Sequence, residues 1–420
     1  MRLFDETHAA LKYDFKGKKL GNAEIFDKLS NRDSKIRKAA ADSISKVLGD
    51  NIRVFTLVTN VLAKDKSTED KWRNFKAPLS SRNLSNLVED EVVDALISTV
   101  KRNYPKLSHR YFKWKAKQLG LKKLEFWDRN APLPDAHDSY IPYEKAQKIV
   151  FDAYNEFSPK IAQIVQKFFD NRWIDVGPKD GKESGAYSHP ATVTEHPYIL
   201  LNYLGKTRDV MTLAHELGHG AHQYLSKEQG TLLADTPLTL AETASVFGEQ
   251  LTFRSMLKNE KNPARKKAMI AGKVEDMLNT VVRQIAFCDF ERGVHVGRKK
   301  GELSSDDIGK IWMQAQKDSL GPVFNFRDDY KYYWSYIPHF IHTPFYVYAY
   351  AFGDCLVNSL YAVYLEKPKG FEEKYIEMLK SGGTKRHKEL LKPFGLDASK
   401  PDFWQKGLNI IDNFITQLES

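Results

Sequence analysis

Apolar residues recur at helical spacing through most of the chain. In one such stretch, residues 211–226 and the residue before it, the apolar side of the predicted helix comprises Val210, Leu213, Ala214, Leu217, Ala221 and Leu225. Further helical patterns cover residues 31–48, 89–103, 143–169 and 236–257, and later helices are expected to begin near Ser305 and Phe371. The sequence therefore predicts a mainly α-helical protein.

Two stretches interrupt this helical pattern. Residues 125–143 are rich in proline and aspartate, and we expect a boundary there between a helical N-terminal lobe, residues 1–130, and a catalytic lobe, residues 131–420. Residues 192–205 concentrate β-branched and apolar side chains, which predicts a strand just before the helix at residues 211–226. At the edge of a sheet, such a strand could pair with an extended peptide; a purely structural sheet edge is the alternative.

The helix at residues 211–226 also carries the most specific chemical pattern in the chain. His215 and His219 are four residues apart, so their imidazoles project from one face and can bind a single metal ion. Glu216 follows the first histidine and is the candidate general base for a zinc-activated water. The alternative is an ordinary buried helix whose histidines bind backbone carbonyls.

A catalytic zinc site needs a third protein ligand, and the next helical pattern offers one. Glu242 follows His215 by 27 residues, which leaves room for a loop between two antiparallel helices. We therefore expect one Zn²⁺ per chain, bound by His215, His219 and Glu242. Glu249 lies two turns later; it is expected either to hold a ligand imidazole by its other nitrogen or to be a solvated surface residue.

Three separated motifs follow one another in the chain: HELGHGAH at residues 215–222, AETASVFGE at 241–249 and IPHFIHTPFYVYAYAFG at 337–353. In this order they resemble the oligoendopeptidase F branch of the thimet oligopeptidase family of zinc metallopeptidases. The resemblance extends upstream through HPYILLNYLG and GAYSH. It implies a mostly helical, two-lobed enzyme with a small sheet beside the zinc helix and a deep channel that admits short peptides. Relatives usually have a long further segment before the point that matches Met1, so we expect a shortened first lobe and weaker size discrimination.

The third motif supplies candidates for stabilising the transition state. Peptide hydrolysis passes through a tetrahedral oxyanion, which needs hydrogen-bond donors already in place. His339 and Tyr346 are the candidates, because in related peptidases a histidine and tyrosines of this region serve the transition state. If this stretch is helical, Tyr350 shares the face of Tyr346 while Tyr348 points elsewhere. His342 is an alternative to His339, and an aromatic core stripe is the interpretation without catalysis.

Composition and charge narrow the choice of class and partners. The chain has 420 residues, of which 42% are hydrophobic and 28% charged, as is typical of a globular enzyme with a large core. Without an apolar run near twenty residues or a secretory signal, we expect a cytoplasmic protein with Cys288 and Cys355 reduced. The net charge of +10 comes from lysines mixed with acids, so neither a nucleic-acid nor a membrane partner is expected.

The sequence thus predicts a zinc-dependent oligoendopeptidase that hydrolyses internal bonds of short unfolded peptides. Glu216 would move protons, and His339 and Tyr346 would stabilise the oxyanion. One alternative is a zinc carboxypeptidase of the same helical class, because the metal motif does not distinguish terminal from internal cleavage. Another is a catalytically silent peptide-binding protein, against which the intact Glu216 and the three ligands argue.

Overall fold

The chain folds mainly into α-helices in the computed structural model, which describes residues 1–134 and 140–420. Helices take up 67% of the chain and strands 4%, which confirms the predicted mainly α fold with small sheets. The helices before residue 135 are α1 Arg2–Ala10, α2 Asn22–Asp27, α3 Ser34–Trp72, α4 Ser80–Ser85, α5 Asp90–Asn103 and α6 Ser108–Gln118. Those after residue 139 are α7 Tyr143–Phe157, α8 Pro159–Asp170, α9 Thr207–Ser226, α10 Leu238–Ala241, α11 Ser245–Asn259, α12 Pro263–Thr280, α13 Val282–Arg298, α14 Ser305–Leu320, α15 His339–His342, α16 Tyr348–Glu366, α17 Phe371–Lys380, α18 His387–Leu391 and α19 Pro401–Glu419.

Short 3-10 helices and strands complete the secondary structure. The 3-10 helices are Lys28–Ser30, Phe126–Asp128, Lys227–Gln229, Asp328–Tyr336 and Lys392–Phe394. The strands are β1 Tyr13–Phe15, β2 Lys18–Leu20, β3 Leu124–Glu125, β4 Ile174–Asp175, β5 Tyr187–His189, β6 Tyr198–Leu200 and β7 Phe324–Asn325. The first two strands form a hairpin and β3 pairs in parallel with β7, whereas β4, β6 and β5 form a three-stranded sheet in that order.

The helix predicted at residues 31–48 is longer than expected. It begins after Asp33, whose side chain accepts a hydrogen bond from the backbone of Lys35, and it continues to Trp72 as α3. Gly49, where the predicted helix stopped, lies inside α3, because a single glycine costs a helix only roughly 0.5–1 kcal/mol. The helix predicted at residues 89–103 is confirmed as α5 to within one residue.

The helix predicted at residues 143–169 is two helices, α7 and α8. Ser158 between them has an extended backbone, with φ −151° and ψ 109°, and its Oγ accepts a hydrogen bond from the backbone of Ile161. Pro159 begins α8, because it has no N–H to donate and is favoured at the first helical position. A serine and proline pair therefore ends one helix and starts the next.

The strand predicted at residues 192–205 is confirmed only for its centre, at β6. Its expected position at a sheet edge is wrong, since β6 pairs in parallel with β4 on one side and antiparallel with β5 on the other. The edge nearest α9 is instead β5, and α9 packs against both β5 and β6. Proline and charged residues before Tyr198 leave residues 192–197 without strand structure.

A continuous buried apolar cluster runs through both halves of the chain. Helix α3 packs on α13 and α14, and α5 packs on α19, so the division at residue 130 stays a prediction. The helical pattern does end near that residue, although residues 135–139 of the proline-rich stretch lie outside the described part. Within residues 1–134 and 140–420, the structure contains no helix with the length and apolarity that crossing a bilayer requires.

Candidate active site

Helix α9 carries the two histidines of the predicted metal site. Asp209 stabilises its first turn by accepting hydrogen bonds from the backbone N–H groups of Leu204 and Lys206, at 2.8 and 2.9 Å. Of the predicted apolar side of α9, Leu225 is partly buried and the other five residues are fully buried: Val210, Leu213, Ala214, Leu217 and Ala221. Burial of that side directs His215 and His219 to another face of the helix, where 25% and 21% of their side chains stay exposed.

Glu242 lies in the turn that joins α10 to α11, so the helix predicted across residues 236–257 is interrupted at this residue. The hydroxyl of Tyr375 donates a 2.9 Å hydrogen bond to the Thr243 carbonyl and helps to hold the turn. Because the backbone turns here, the Glu242 side chain points back toward α9 and reaches the histidines.

Two glycines allow this close approach. A Cβ on Gly218 of α9 would lie 2.4 Å from the carbonyl oxygen of Ala244 in the turn, so only glycine permits the observed distance. On the other side, a Cβ on Gly353 of α16 would lie 3.0 Å from the Cβ of Glu242. The close packing of α9 and α16 around Glu242 therefore depends on glycine at Gly218 and Gly353.

The structure brings His215, His219 and Glu242 together. The two histidine Nε2 atoms are 3.1 Å apart, and Glu242 Oε2 lies 3.4 Å from Nε2 of His215 and 3.5 Å from Nε2 of His219. A tetrahedral zinc ion with bonds of about 2.0–2.1 Å separates its ligand atoms by roughly 3.3–3.4 Å. The three atoms fit one zinc ion, and they are the one set of candidate metal ligands found among the described residues.

Glu249 contacts the first histidine from behind. Its Oε1 lies 2.6 Å from Nδ1 of His215, and its Oε2 accepts a 3.0 Å hydrogen bond from Lys273. Burial alone would raise the pKa of Glu249, but the charge of Lys273 and the contact with His215 lower it to about 2. Glu249 therefore orients an imidazole and is not a solvated surface residue.

Glu216 is buried on the same helix, with 6% of its surface exposed. Its Oε2 has no hydrogen-bond partner among the described residues, and a backbone hydrogen bond comes from Ser188 in β5. Burial raises the pKa of Glu216 to about 7, against the opposing charge of His215. A carboxylate with one unpartnered oxygen next to a candidate metal site can accept a proton from a water there.

His339, Tyr346 and Tyr350 form a second group. The ring centroids of the two tyrosines are 5.2 Å apart, and Nε2 of His339 lies 3.3 Å from the Tyr350 hydroxyl. Burial raises the pKa of Tyr350 to about 12, and the charge of Glu242 adds to that shift. Because the charge of the candidate ligand Glu242 acts on Tyr350, this second group lies within electrostatic range of the candidate metal site.

Two alternatives from the same motif point elsewhere. Tyr348 is fully buried, and its hydroxyl accepts a 2.9 Å hydrogen bond from the side chain of Asn86. His342 lies 2.7 Å from a carboxylate oxygen of Asp5 in α1. Tyr348 therefore points away from Tyr346 and Tyr350, as predicted, although Tyr346 lies before α16 and not on one helix with the other two.

Two contributors to the site were missed in the sequence. Ser245 Oγ donates a 2.7 Å hydrogen bond to the same oxygen of Glu242 that faces the histidines. Its place three residues after Glu242 within the AETAS segment was the available signal. Lys273 had none, because it lies on α12, a helix whose pattern carries no motif.

Comparison with protein families gives a match over most of the chain. The model of the family described as "Peptidase family M3" matches residues 28–410. Oligopeptidase PepF of Bacillus subtilis is 27% identical over 404 residues, which are 96% of this chain and 60% of that protein. An oligoendopeptidase F homolog of Borreliella burgdorferi is 31% identical over 388 residues, covering 91% of this chain and 65% of that protein. The chain thus spans less than two thirds of the length of these curated relatives.

Solved structures share the fold. A Chlamydophila abortus protein has a TM-score of 0.90 and 26% identity, covering 99% of this chain and 71% of that one. Oligoendopeptidase-F from Enterococcus faecium has a TM-score of 0.76 and 22% identity, covering 100% of this chain and 71% of that one. The second identity is low enough that this structure supports the fold alone.

Proposed function

The chain belongs to peptidase family M3, and from this membership and the geometry of its site we propose that it is a zinc-dependent oligoendopeptidase. The observation that carries the proposal is the separation of 3.1, 3.4 and 3.5 Å among the three candidate ligand atoms of His215, His219 and Glu242. Those separations match one tetrahedral zinc ion that keeps its fourth position for water. The names of the relatives, oligopeptidase and oligoendopeptidase, support the same class of reaction.

When bound, the zinc ion lowers the pKa of a coordinated water to about 7 and so supplies a nucleophile near neutral pH. In our proposal His215, His219 and Glu242 hold the metal, and Glu249 fixes the orientation of His215. Glu216 accepts the proton of the water at its unpartnered Oε2 and later delivers it to the leaving amine.

The second group of side chains serves the oxyanion. Donors that are in place before the reaction need no reorganisation when negative charge develops, which makes them effective catalysts. His339 and Tyr346 are our proposed donors. Tyr350 is a third, because its hydroxyl contacts His339 and its ring contacts that of Tyr346. All three can donate only if a substrate carbonyl enters between this group and the metal ligands.

We propose short unfolded peptides as substrates, cut at internal bonds. An extended peptide can reach a site with partly exposed ligands more easily than a folded chain. The free edge of β5, beside Glu216, offers backbone groups that pair with a peptide whatever its side chains. The cytoplasmic location and the boundary at residue 130 stay predictions.

Mass spectrometry of a mixed peptide digest, incubated with the zinc-loaded chain, tests this function. We expect fragments that arise from internal cleavage of peptides of roughly five to twenty residues, a range that the resemblance to oligoendopeptidase F implies. Release of single C-terminal residues alone would instead favour the carboxypeptidase alternative. An unchanged digest, with the peptides bound but intact, would indicate the silent peptide-binding protein.

A further inference from the structure

Two arginines, Arg129 and Arg283, form no ion pair with a carboxylate within the described residues. Arg129 lines a small cavity together with Asn130 and Tyr336. Nη2 of Arg283 donates a 2.7 Å hydrogen bond to the hydroxyl of Tyr336, which lines the same cavity as Arg129. We call these four residues the arginine cluster. Asn130 is exposed and the other three are partly buried, so the cluster is accessible from solvent.

The charged side chains around the arginine cluster neutralise one another in ion pairs, so the two arginines of the cluster keep their positive charge. Arg37 forms a buried ion pair with Asp128, at 2.7 Å. The buried Lys115 forms an ion pair with the partly exposed Glu275, and the same Glu275 oxygen accepts a hydrogen bond from the Tyr111 hydroxyl. Neither arginine of the cluster forms an ion pair with any residue in the described ranges. Two cationic charges therefore remain without a counter-charge.

The arginine cluster presents hydrogen-bond donors. Nε of Arg283 is buried and has no partner within the part of the chain that the structure describes. Arg129 donates through Nε to the side-chain oxygen of Asn130, at 3.3 Å, and that contact leaves the asparagine amide to donate elsewhere. Burial and the nearby charge of Arg283 lower the pKa of Arg129. A carboxylate would accept hydrogen bonds from these donors with its two oxygens, and its negative charge would balance the positive charge of the arginines.

The cluster is also near the proposed oxyanion group. Tyr336 precedes His339 by three residues, a separation of at most about 11 Å along the chain. The guanidinium of Arg283 lies 4.8 Å from the ring centroid of Phe287, whose ring contacts that of Phe340 at 5.4 Å. Because an extended peptide advances roughly 3.3 Å per residue, a few residues span this interval.

We propose that the arginine cluster binds a carboxylate of the peptide substrate, and that the C-terminal carboxylate of a short peptide is its occupant. The inference rests on the proposed peptidase function and adds a determinant of substrate choice to it. Such a subsite favours peptides whose C-terminus lies a few residues beyond the bond that is cut. It provides a preference for short peptides that does not depend on closing a channel.

The test compares three versions of one peptide that lacks other acidic residues: the free acid, the C-terminal amide, and the amide with one aspartate near the end. The wild-type chain is expected to cut the free acid with a kcat/KM at least tenfold higher than the amide, mainly through KM. Arg129→Gln and Arg283→Gln are expected to lower kcat/KM for the free acid to its value for the amide. They are expected to leave kcat/KM for the amide unchanged. Arg53→Gln, on the exposed face of α3, is the matched control and is expected to change neither.

The outcomes separate the subsite from the peptidase. Equal cutting of all three peptides by the wild type would overturn the subsite alone, whereas cutting of none would overturn the proposed function as well. Preference for the aspartate peptide over the free acid would overturn the C-terminal assignment. If a glutamine variant fails to fold, Arg129→Lys replaces it in the test, because lysine keeps the positive charge and lacks the planar set of donors. A several-fold smaller preference for the acid supports the proposal, and an unchanged one contradicts it.

Discussion

Oε1 of Glu249 lies 2.6 Å from Nδ1 of His215, and the other oxygen of the same carboxylate accepts a hydrogen bond from Lys273. This contact fixes the rotation of the imidazole, so that Nε2 of His215 faces His219 and Glu242. A carboxylate behind a ligand histidine also keeps the proton on Nδ1 and the lone pair on Nε2. Glu249 is thus a positioning residue for the proposed metal.

Replacement of this carboxylate should weaken zinc binding while the fold persists. In Glu249→Gln the amide is uncharged and holds the imidazole less firmly, so we expect zinc affinity to fall about tenfold to a hundredfold. Competition with a chromophoric chelator measures the affinity directly. Glu156→Gln, an exposed change on α7, is the control. Unaltered zinc affinity in Glu249→Gln would contradict the assignment of Glu249 as a positioning residue.

The three tyrosines of the third motif should respond differently to loss of the hydroxyl. We expect Tyr346→Phe and Tyr350→Phe to lower kcat by about a hundredfold to a thousandfold, as loss of an oxyanion donor does. Tyr348→Phe should leave kcat unchanged and cost about 1 kcal/mol of unfolding free energy, because its hydroxyl only accepts from Asn86. Steady-state kinetics and denaturant unfolding test both. A large kcat loss confined to Tyr348→Phe would show that the oxyanion assignment is wrong.

Gly218 controls the distance between α9 and the Glu242 turn. In Gly218→Ala the added methyl would lie 2.4 Å from the Ala244 carbonyl oxygen, so the turn must move. We expect a loss of about 1–3 kcal/mol of unfolding free energy together with weaker zinc binding. The control is Gly272→Ala in α12, where a Cβ meets no atom within 4 Å and helix propensity should make the change neutral or stabilising. Equal stability of the two variants would contradict this packing account.

A buried carboxylate holds the backbone just before Tyr346. Glu291 accepts a 2.7 Å hydrogen bond from the backbone N–H of Phe345, which has a φ of +60°, an uncommon value for a residue with a side chain. Burial raises the pKa of Glu291 to about 8, although Phe345, Arg82 and Lys66 act in the opposite direction.

This raised pKa predicts a pH dependence of stability. Because the carboxyl binds its proton more tightly in the folded than in the unfolded chain, its contribution is full below the unfolded pKa and is lost as pH rises through about 8. Denaturant unfolding between pH 5 and about 9 should therefore show a decline that Glu291→Gln reduces, since the amide does not titrate. The wild type and the variant losing stability in parallel over this range would contradict the prediction.

The histidine pair of the site could be predicted because the spacing of two residues along a helix determines whether they share a face. A spacing of four positions from His215 to His219 places both on one helix face, and burial of the apolar side of α9 turns that face toward Glu242. The separation of Tyr348 from Tyr346 and Tyr350 was predicted for a helix through all three residues, but α16 begins at Tyr348 and Tyr346 lies before it. Tyr346 and Tyr350 share a direction, and Tyr348 lies in the core.

The remaining features depend on contacts between distant segments. The turn at Glu242 follows from packing against Gly218 and Gly353, which no local pattern indicates. Lys273 reaches Glu249 from a separate helix, and β6 is a central strand because β4 pairs with the edge opposite β5. Local periodicity predicts which face of a helix is buried, whereas the partner that covers it depends on the tertiary fold.

The most direct test of the proposed mechanism is zinc content and turnover measured on one preparation of Glu216→Gln. This change keeps His215, His219 and Glu242 and removes only the group that takes the proton of the water. We predict about one zinc per chain, as in the wild type, with turnover lowered by about a hundredfold to ten-thousandfold. Near wild-type turnover with zinc retained would contradict the assignment of Glu216 as general base. A wild-type chain unable to bind zinc at all would contradict the site itself.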